Sequence, residues 1–207
     1  MYFDICLHRF AHPVVAAQPE NHLVVHLKGL FDTTRISERT TIASASCGIC
    51  GKASIADVAA RCAPVVPTAR LSAAALGALP GALRTAQPVF DHTGGLHAAA
   101  VVGVSVGGAV QIEMVREDVG RHNALDKLIG AMRKAGVQAD QGFMGITSRA
   151  SFEMVQKTIQ SGAGALTAVS APTQFAVNLA RSHNLLLAGQ VRGDSFTAYS
   201  FPERFTH

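Results

Sequence analysis

From Gly142 onward, apolar and polar positions fall into a regular alternation of short strands and amphipathic helices. The runs 143–147, 165–169, 185–188 and 196–199 are apolar and of strand length, and 151–160 and 173–182 carry apolar residues at helical spacing. Ahead of this half, Val101-Val102-Gly103-Val104-Ser105-Val106 and Ala109-Val110-Gln111-Ile112-Glu113-Met114 flank Gly107-Gly108 and predict a β-hairpin. Asp118 is placed to cap a helix whose apolar positions are Leu125, Leu128, Ile129 and Met132. Small residues over 71–83 predict a helix interrupted at Pro80-Gly81, and Leu96-His97-Ala98-Ala99-Ala100 reads as a helix start after Gly94-Gly95. Nearer the N-terminus, 22–29 and 40–45 have strand composition, and Ser54-Ile55-Ala56-Asp57 has the form of a capping box opening a helix to about Cys62. Short apolar strands alternating with helices indicate an α/β fold with a sheet covered on both faces. An irregular segment 1–22 followed by a single α/β domain over 23–207 is the expected organisation.

Composition narrows the class. The chain has 207 residues, 48% hydrophobic and 15% charged, with 19 Gly and no Trp, which suits a compact core built from small residues. No apolar run reaches the ~18 residues that span a bilayer, and the start lacks the order of a secretory signal, so neither a membrane nor a secreted setting is expected. Four cysteines are too few for a disulfide scaffold, and a cytoplasmic setting with reduced thiols is expected. The net charge of +4 fits a phosphate-bearing ligand, and no basic run points to nucleic acid.

Two polar segments carry the candidate chemistry. Cys47-Gly48-Ile49-Cys50-Gly51 holds two thiols two residues apart, which could carry sulfur, cycle as a disulfide or share a metal. Lys52 and the capped helix beyond favour a thiolate, whereas structural zinc needs two further ligands at close spacing. Reactive thiols, zinc and an idle pair all remain open on this ground. Glu117-Asp118-Val119-Gly120-Arg121-His122-Asn123-Ala124-Leu125-Asp126-Lys127 opens a helix with polar residues around its circumference. Pairs His122/Asp126 and Asn123/Lys127 stand at i,i+4 and can bond, and a helix N-terminus favours an anion. Ser148-Arg149-Ala150-Ser151 and Ser170-Ala171-Pro172-Thr173 follow strands and suit a phosphate or simple capping equally. His97 matches half of a zinc deaminase signature, but Ala99 stands where the proton-transferring Glu belongs, so hydrolytic deamination is excluded.

These segments, with Thr93-Gly94-Gly95-Leu96-His97-Ala98-Ala99 and Ser148-Arg149-Ala150-Ser151-Phe152-Glu153, occur in an order that resembles the formate dehydrogenase accessory sulfurtransferases of the FdhD/NarQ family, from about residue 23 to 205. The resemblance implies a three-layer α/β/α, cytidine-deaminase-like mixed sheet. It implies a sulfurtransferase that passes persulfide sulfur from a cysteine desulfurase to the molybdenum or tungsten of a bis(guanine dinucleotide) pterin cofactor, Mo-bis(molybdopterin guanine dinucleotide), for formate dehydrogenase. Cys47 would bear the persulfide and Cys50 would be its partner. The turn Gln190, Val191, Arg192, Gly193, Asp194, Ser195 would meet the cofactor, joined by Ser148, Arg149, His122 and Asn123. A homodimer with no permanently bound metal is implied as well. Members usually carry a longer region ahead of residue 23, so an N-terminally shortened chain is expected. Gln190 and Ser195 replace a common aromatic and a common basic residue, which would weaken guanine-nucleotide binding. The alternative is a non-catalytic cofactor-binding module with a structural or idle Cys pair.

Overall fold

The computed structural model describes residues 14–15, 23–24, 64–66, 70–104, 109–137, 142–193 and 195–206. The chain divides into two compact units, Met1–Ile42 and Ala43–His207. In the first, β1 (Val14–Val15) pairs antiparallel with β2 (Leu23–Val24).

The second unit holds a six-stranded mixed sheet. In chain order it contains β3 (Leu71–Ser72), α1 (Ala73–Thr85), α2 (Pro88–Thr93), β4 (His97–Val104), β5 (Val110–Asp118), α3 (Arg121–Ala135) and β6 (Phe143–Ile146). There follow α4 (Phe152–Gln160), β7 (Ala165–Ala168), α5 (Gln174–Ser182), β8 (Leu186–Arg192), β9 (Ser195–Ala198), a 3-10 turn Pro202–Arg204 and β10 (Phe205–Thr206). The sheet order is β5-β4-β6-β7-β8-β9, and β10 pairs in parallel with β3 in a separate two-stranded ladder. β4 runs antiparallel to both neighbours, β6, β7 and β8 are mutually parallel, and β9 is antiparallel to β8.

Strand alternation sends side chains to two cores. On one face Leu76, Leu79 and Leu83 of α1 pack with Ala100, Val102, Phe143, Ala165 and Leu186. On the other, α3, α4 and α5 contribute Leu125, Leu128, Met154, Val155 and Val177 against Ala99, Val101, Met144, Ile146 and Leu166. Helices on both sides of a mixed sheet make the three-layer α/β/α arrangement that the strand and helix pattern predicts. Gly145 sets the approach of α1: a Cβ there would lie 2.9 Å from Leu79 Cδ1. No helix among the described residues is long and apolar enough to cross a membrane.

Two elements differ from expectation. α1 continues through Pro80 instead of stopping there. A proline inside a helix costs about 3 kcal/mol, whereas each leucine fully buried contributes about 1.5–3 kcal/mol. Three buried leucines on α1 outweigh one lost hydrogen bond, and Ser72 adds a cap by accepting from the Ala75 N–H at 3.1 Å. The 96–100 segment forms the start of β4, not a helix. Alanine favours helix, but Ala99–Val102 pair on both edges and are buried on both faces, and that burial overrides propensity. The expected helix at 54–62 and strand at 40–45 lie outside the described residues.

Candidate functional site

The strand directions decide where polar groups collect. Because β5, β6, β7 and β8 run the same way and β4 runs against them, one edge of the sheet gathers four strand C-termini and the start of β4. The starts of α3, α4 and α5 and the β8–β9 turn therefore lie along that edge. Such an edge is the usual place for ligands on open α/β sheets. The Asp118 segment, 147–151, 170–173 and 190–193 all fall there, although they are far apart in sequence.

Asp118 stays in the β5 ladder opposite His97, and Gly120 becomes the N-cap of α3, two residues later than the sequence suggests. The Asp118 carboxylate instead accepts from the Gly120 N–H at 2.8 Å and from Asn123 Nδ2 at 3.3 Å, and pairs with the Lys127 ammonium. A Cβ on Gly120 would sit 3.1 Å from Asn123 Nδ2, so glycine leaves room for this turn. The Lys127 bond, the Gly120 amide and Asn123 hold the Asp118 carboxyl below the usual carboxylate range, against opposing burial. Lys127 also donates to the Glu117 carbonyl at 3.2 Å. The Glu117 carboxylate meanwhile accepts from the Val89 and Phe90 N–H groups at 3.0 and 2.9 Å, capping α2 across 27 or 28 residues. Sequence reasoning missed this cap, because nothing local pairs a strand-end Glu with a helix so far upstream.

His122 turns inward. Its Nε2 lies 3.1 Å from Ser151 Oγ and 3.3 Å from Glu153 Oε2, between the first turns of α3 and α4. Farther along the same interface, Lys157 Nζ bonds Asp126 Oδ2 at 2.6 Å and approaches Glu153 Oε1 at 3.9 Å. The expected i,i+4 contacts within α3 give way to these inter-element ones, since His122 and Asp126 face α4 while Asn123 and Lys127 face the end of β5. Burial is the main cause lowering the His122 pKa. Glu153 opposes it, Arg121 and Lys157 reinforce it, and Asp126 opposes it weakly. Burial, and then Arg121, also lower the pKa of His97, which sits on β4 at the same edge.

Across the middle of the edge, Thr147 Oγ1 accepts from the Ala98 N–H at 2.9 Å and ties β6 to β4. Ser148 is buried and donates to the Arg149 carbonyl at 3.2 Å, while Arg149 itself is exposed. Thr173 caps α5 through the Ala176 N–H at 3.3 Å and donates its own N–H to the Ala150 carbonyl at 3.0 Å. The Gln190 N–H reaches the Ser170 carbonyl at 3.2 Å, so the 148–151, 170–173 and 190–193 turns form one connected rim. Gly189 is needed for that contact, since a Cβ there would come within 3.0 Å of the Ser170 carbonyl oxygen. Gln190 and Gly193 both have φ of +53°, Gln190 and Arg192 are exposed, and Val191 is buried. Ser195 Oγ donates to the Arg192 carbonyl at 3.0 Å, and Thr197 Oγ1 to Gln190 Oε1 at 3.2 Å.

Cys47, Cys50 and Asp194 lie outside the described residues. Among the described residues no group of three His, Cys, Asp or Glu side chains could hold a metal ion. The rim offers helix starts, exposed Arg149 and Arg192 and open backbone turns, a donor set that fits phosphate oxygens.

The model of the FdhD/NarQ family matches residues 12–206. A sulfur carrier protein FdhD of Mycobacterium tuberculosis is 45% identical over 171 residues, covering 81% of this chain and 60% of the relative. One from Xanthomonas campestris pv. campestris is 47% identical over 159 residues, covering 76% and 55%. The chain thus spans little more than half the length of these curated relatives. A crystal structure from Desulfotalea psychrophila, assigned as a formate dehydrogenase accessory protein, has a TM-score of 0.67 at 19% identity over 96% of this chain and 72% of that one, a likeness of fold.

Proposed function

The chain belongs to the FdhD/NarQ family, and from that premise we propose that it carries sulfur to a guanine-nucleotide pterin cofactor held at the strand-end edge. The observation that carries this reading is the convergence of four separate polar segments on one edge, with Arg149 and Arg192 exposed there. Relatives at 45% identity named as sulfur carriers support the sulfur half of the reading.

In the proposed chemistry Cys47 takes sulfur from a cysteine desulfurase. Its thiolate attacks the outer sulfur of the desulfurase persulfide, the S–S bond breaks, and the desulfurase cysteine leaves as a thiolate. Cys47 then holds a persulfide, with no net oxidation and no further reactant. Cys50 stands two residues away as the second thiol, and Lys52 favours the charged form of either. The receiving cofactor, with molybdenum or tungsten, is substrate: its diphosphates would lie on the amides at the starts of α3 and α4 and on Arg149, with Arg192 and the Gln190 turn closing the other side. The rest of the proposal has formate dehydrogenase as client, a homodimer as the working form and the cytoplasm as the compartment.

Intact-mass measurement after incubation with a cysteine desulfurase and cysteine tests the first half. The wild type should gain one sulfur atom and Cys47→Ala should not. An unaltered wild-type mass in the presence of an active desulfurase would sink the sulfur-carrier reading.

A further inference from the structure

Ser151 is the N-cap of α4, yet its side chain makes no capping bond to that helix. Serine at this position ordinarily accepts from the second or third N–H of its helix, and losing that bond costs about 1 kcal/mol. Here Ser151 Oγ is 3.1 Å from His122 Nε2 instead. Glu153, in the first turn of α4, places Oε2 at 3.3 Å from the same nitrogen. Both polar groups therefore address one atom of a buried imidazole.

A serine-histidine-carboxylate relay would need the hydroxyl and the carboxylate on opposite ring nitrogens. With both on Nε2, no relay exists, and Ser151 is not an activated nucleophile. A carboxylate offers only acceptor sites. The nitrogen beside it must then carry hydrogen, which leaves the lone pair of neutral His122 on Nδ1.

We propose that Glu153 and Ser151 are positioning residues: they fix His122 as the Nε2–H tautomer and fasten the start of α3 to the start of α4. The turn 147–151, with Ser148 and Arg149, ends at this fastening, so the Ser151–His122 contact joins the Thr147–Ala98 and Thr173–Ala150 bonds in setting its place on the rim. The Asp126–Lys157 bond at 2.6 Å, one turn farther along both helices, closes the same interface and keeps the two helix starts from splaying. The lowered His122 pKa agrees with a ring held neutral; the charged groups acting on it are Arg121 and Asp126 from α3 and Glu153 and Lys157 from α4. The consequence for ligand binding rests on the nucleotide reading above, whereas the tautomer does not.

Long-range proton–nitrogen NMR on the nitrogen-15-labelled full chain reads the tautomer directly. In the wild type His122, identified by its loss in His122→Gln, should appear as neutral Nε2–H, and Glu153→Ala should turn it into a mixture of tautomers. Glu153→Gln, whose amide oxygen can still accept, should keep the wild-type pattern. Titration calorimetry with guanosine diphosphate gives the second arm. Affinity should fall about tenfold in Glu153→Ala, the scale of losing one polar contact to a charged group, and recover in part in Glu153→Gln. An Nδ1–H wild type, or a Glu153→Ala spectrum unchanged at His122, overturns the proposal. The expected tautomer shift with undiminished affinity overturns its positioning role at the rim. A wild type that binds no guanosine diphosphate, but shows the expected tautomers, supports the assignment and fails the nucleotide reading instead.

Discussion

The α3–α4 interface and the β8–β9 turn sit at the same end of the sheet and are both polar, but their polar groups are used in opposite ways. At the interface His122, Ser151, Glu153, Asp126 and Lys157 spend their bonds on one another across two helices. At the turn Gln190 and Arg192 are exposed, two residues have positive φ, and the side-chain bonds of Gln190 and Ser195 stay within the same hairpin. The first region is mostly buried and bonded between two helices before any ligand arrives; the second presents exposed side chains on a strained backbone. Polarity alone does not identify a binding surface. What distinguishes the two is whether the polar side chains are locked between elements or left exposed on a turn.

The largest expected effect comes from breaking the organised side. The Lys157 side chain is 3% exposed and that of Asp126 is 43% exposed. Asp126→Asn leaves the ammonium buried with a weaker acceptor, and Glu153 at 3.9 Å only partly replaces it. Removing one partner of a fully buried pair costs about 3–5 kcal/mol; with Asp126 half in water, a loss of about 1–3 kcal/mol is expected. Urea unfolding measures it. A midpoint equal to wild type would mean that the interface is not held by this pair, and the contrast between the two regions would fail.

The sequence shows which residues are polar at this edge but not whom they meet. The strands and helices from Phe143 onward follow their apolar spacing closely, because each is a short, self-consistent segment covered on both sides. The convergence of Asp118, Arg149 and Gln190 follows once strand direction is known, and direction is not encoded in local pattern. His122 shows the limit best: i,i+4 spacing offers Asp126, while packing of α4 against α3 supplies Ser151 and Glu153, 29 and 31 positions away. The 96–100 segment fails for a related reason, since an alanine run favours helix until two neighbouring strands claim its backbone. Glu117 capping α2 is likewise invisible without the tertiary fold.

The pH response sharpens the same comparison with a smaller effect. His122 and His97 both have lowered pKa values in the folded chain, burial being the main cause. The unfolded chain therefore binds more protons through the ordinary histidine range, so stability is full above about pH 6.5 and falls as pH drops below it. Asp118 adds a second loss at lower pH: its folded pKa lies below the ordinary Asp value of 3.8, so its contribution is present above that value and disappears as pH falls through the folded pKa. In urea titrations His122→Gln should flatten the first slope and leave the second. An unaltered slope between about pH 7 and about pH 5 would show that His122 does not titrate as a buried group.

The smallest effect tests the strained side. Gln190 holds φ +53° in β8, between the paired residues Gly189 and Arg192 where the ladder shifts register. A non-glycine residue in this region costs about 1–2 kcal/mol. Gln190→Gly removes that strain, but glycine enlarges the unfolded ensemble by about 0.5–1 kcal/mol, and the exposed Thr197 bond to the Gln190 side chain goes with it. The net should be a gain of about 0.5 kcal/mol, visible as a slightly higher urea midpoint. The same variant should bind guanosine diphosphate more weakly, because it removes an exposed side chain that this hairpin presents beside Arg192. A stability gain with weakened binding marks a backbone strained for presentation; a stability loss would mean that the Thr197 bond to Gln190 outweighs the strain, and that the turn belongs with the organised interface instead.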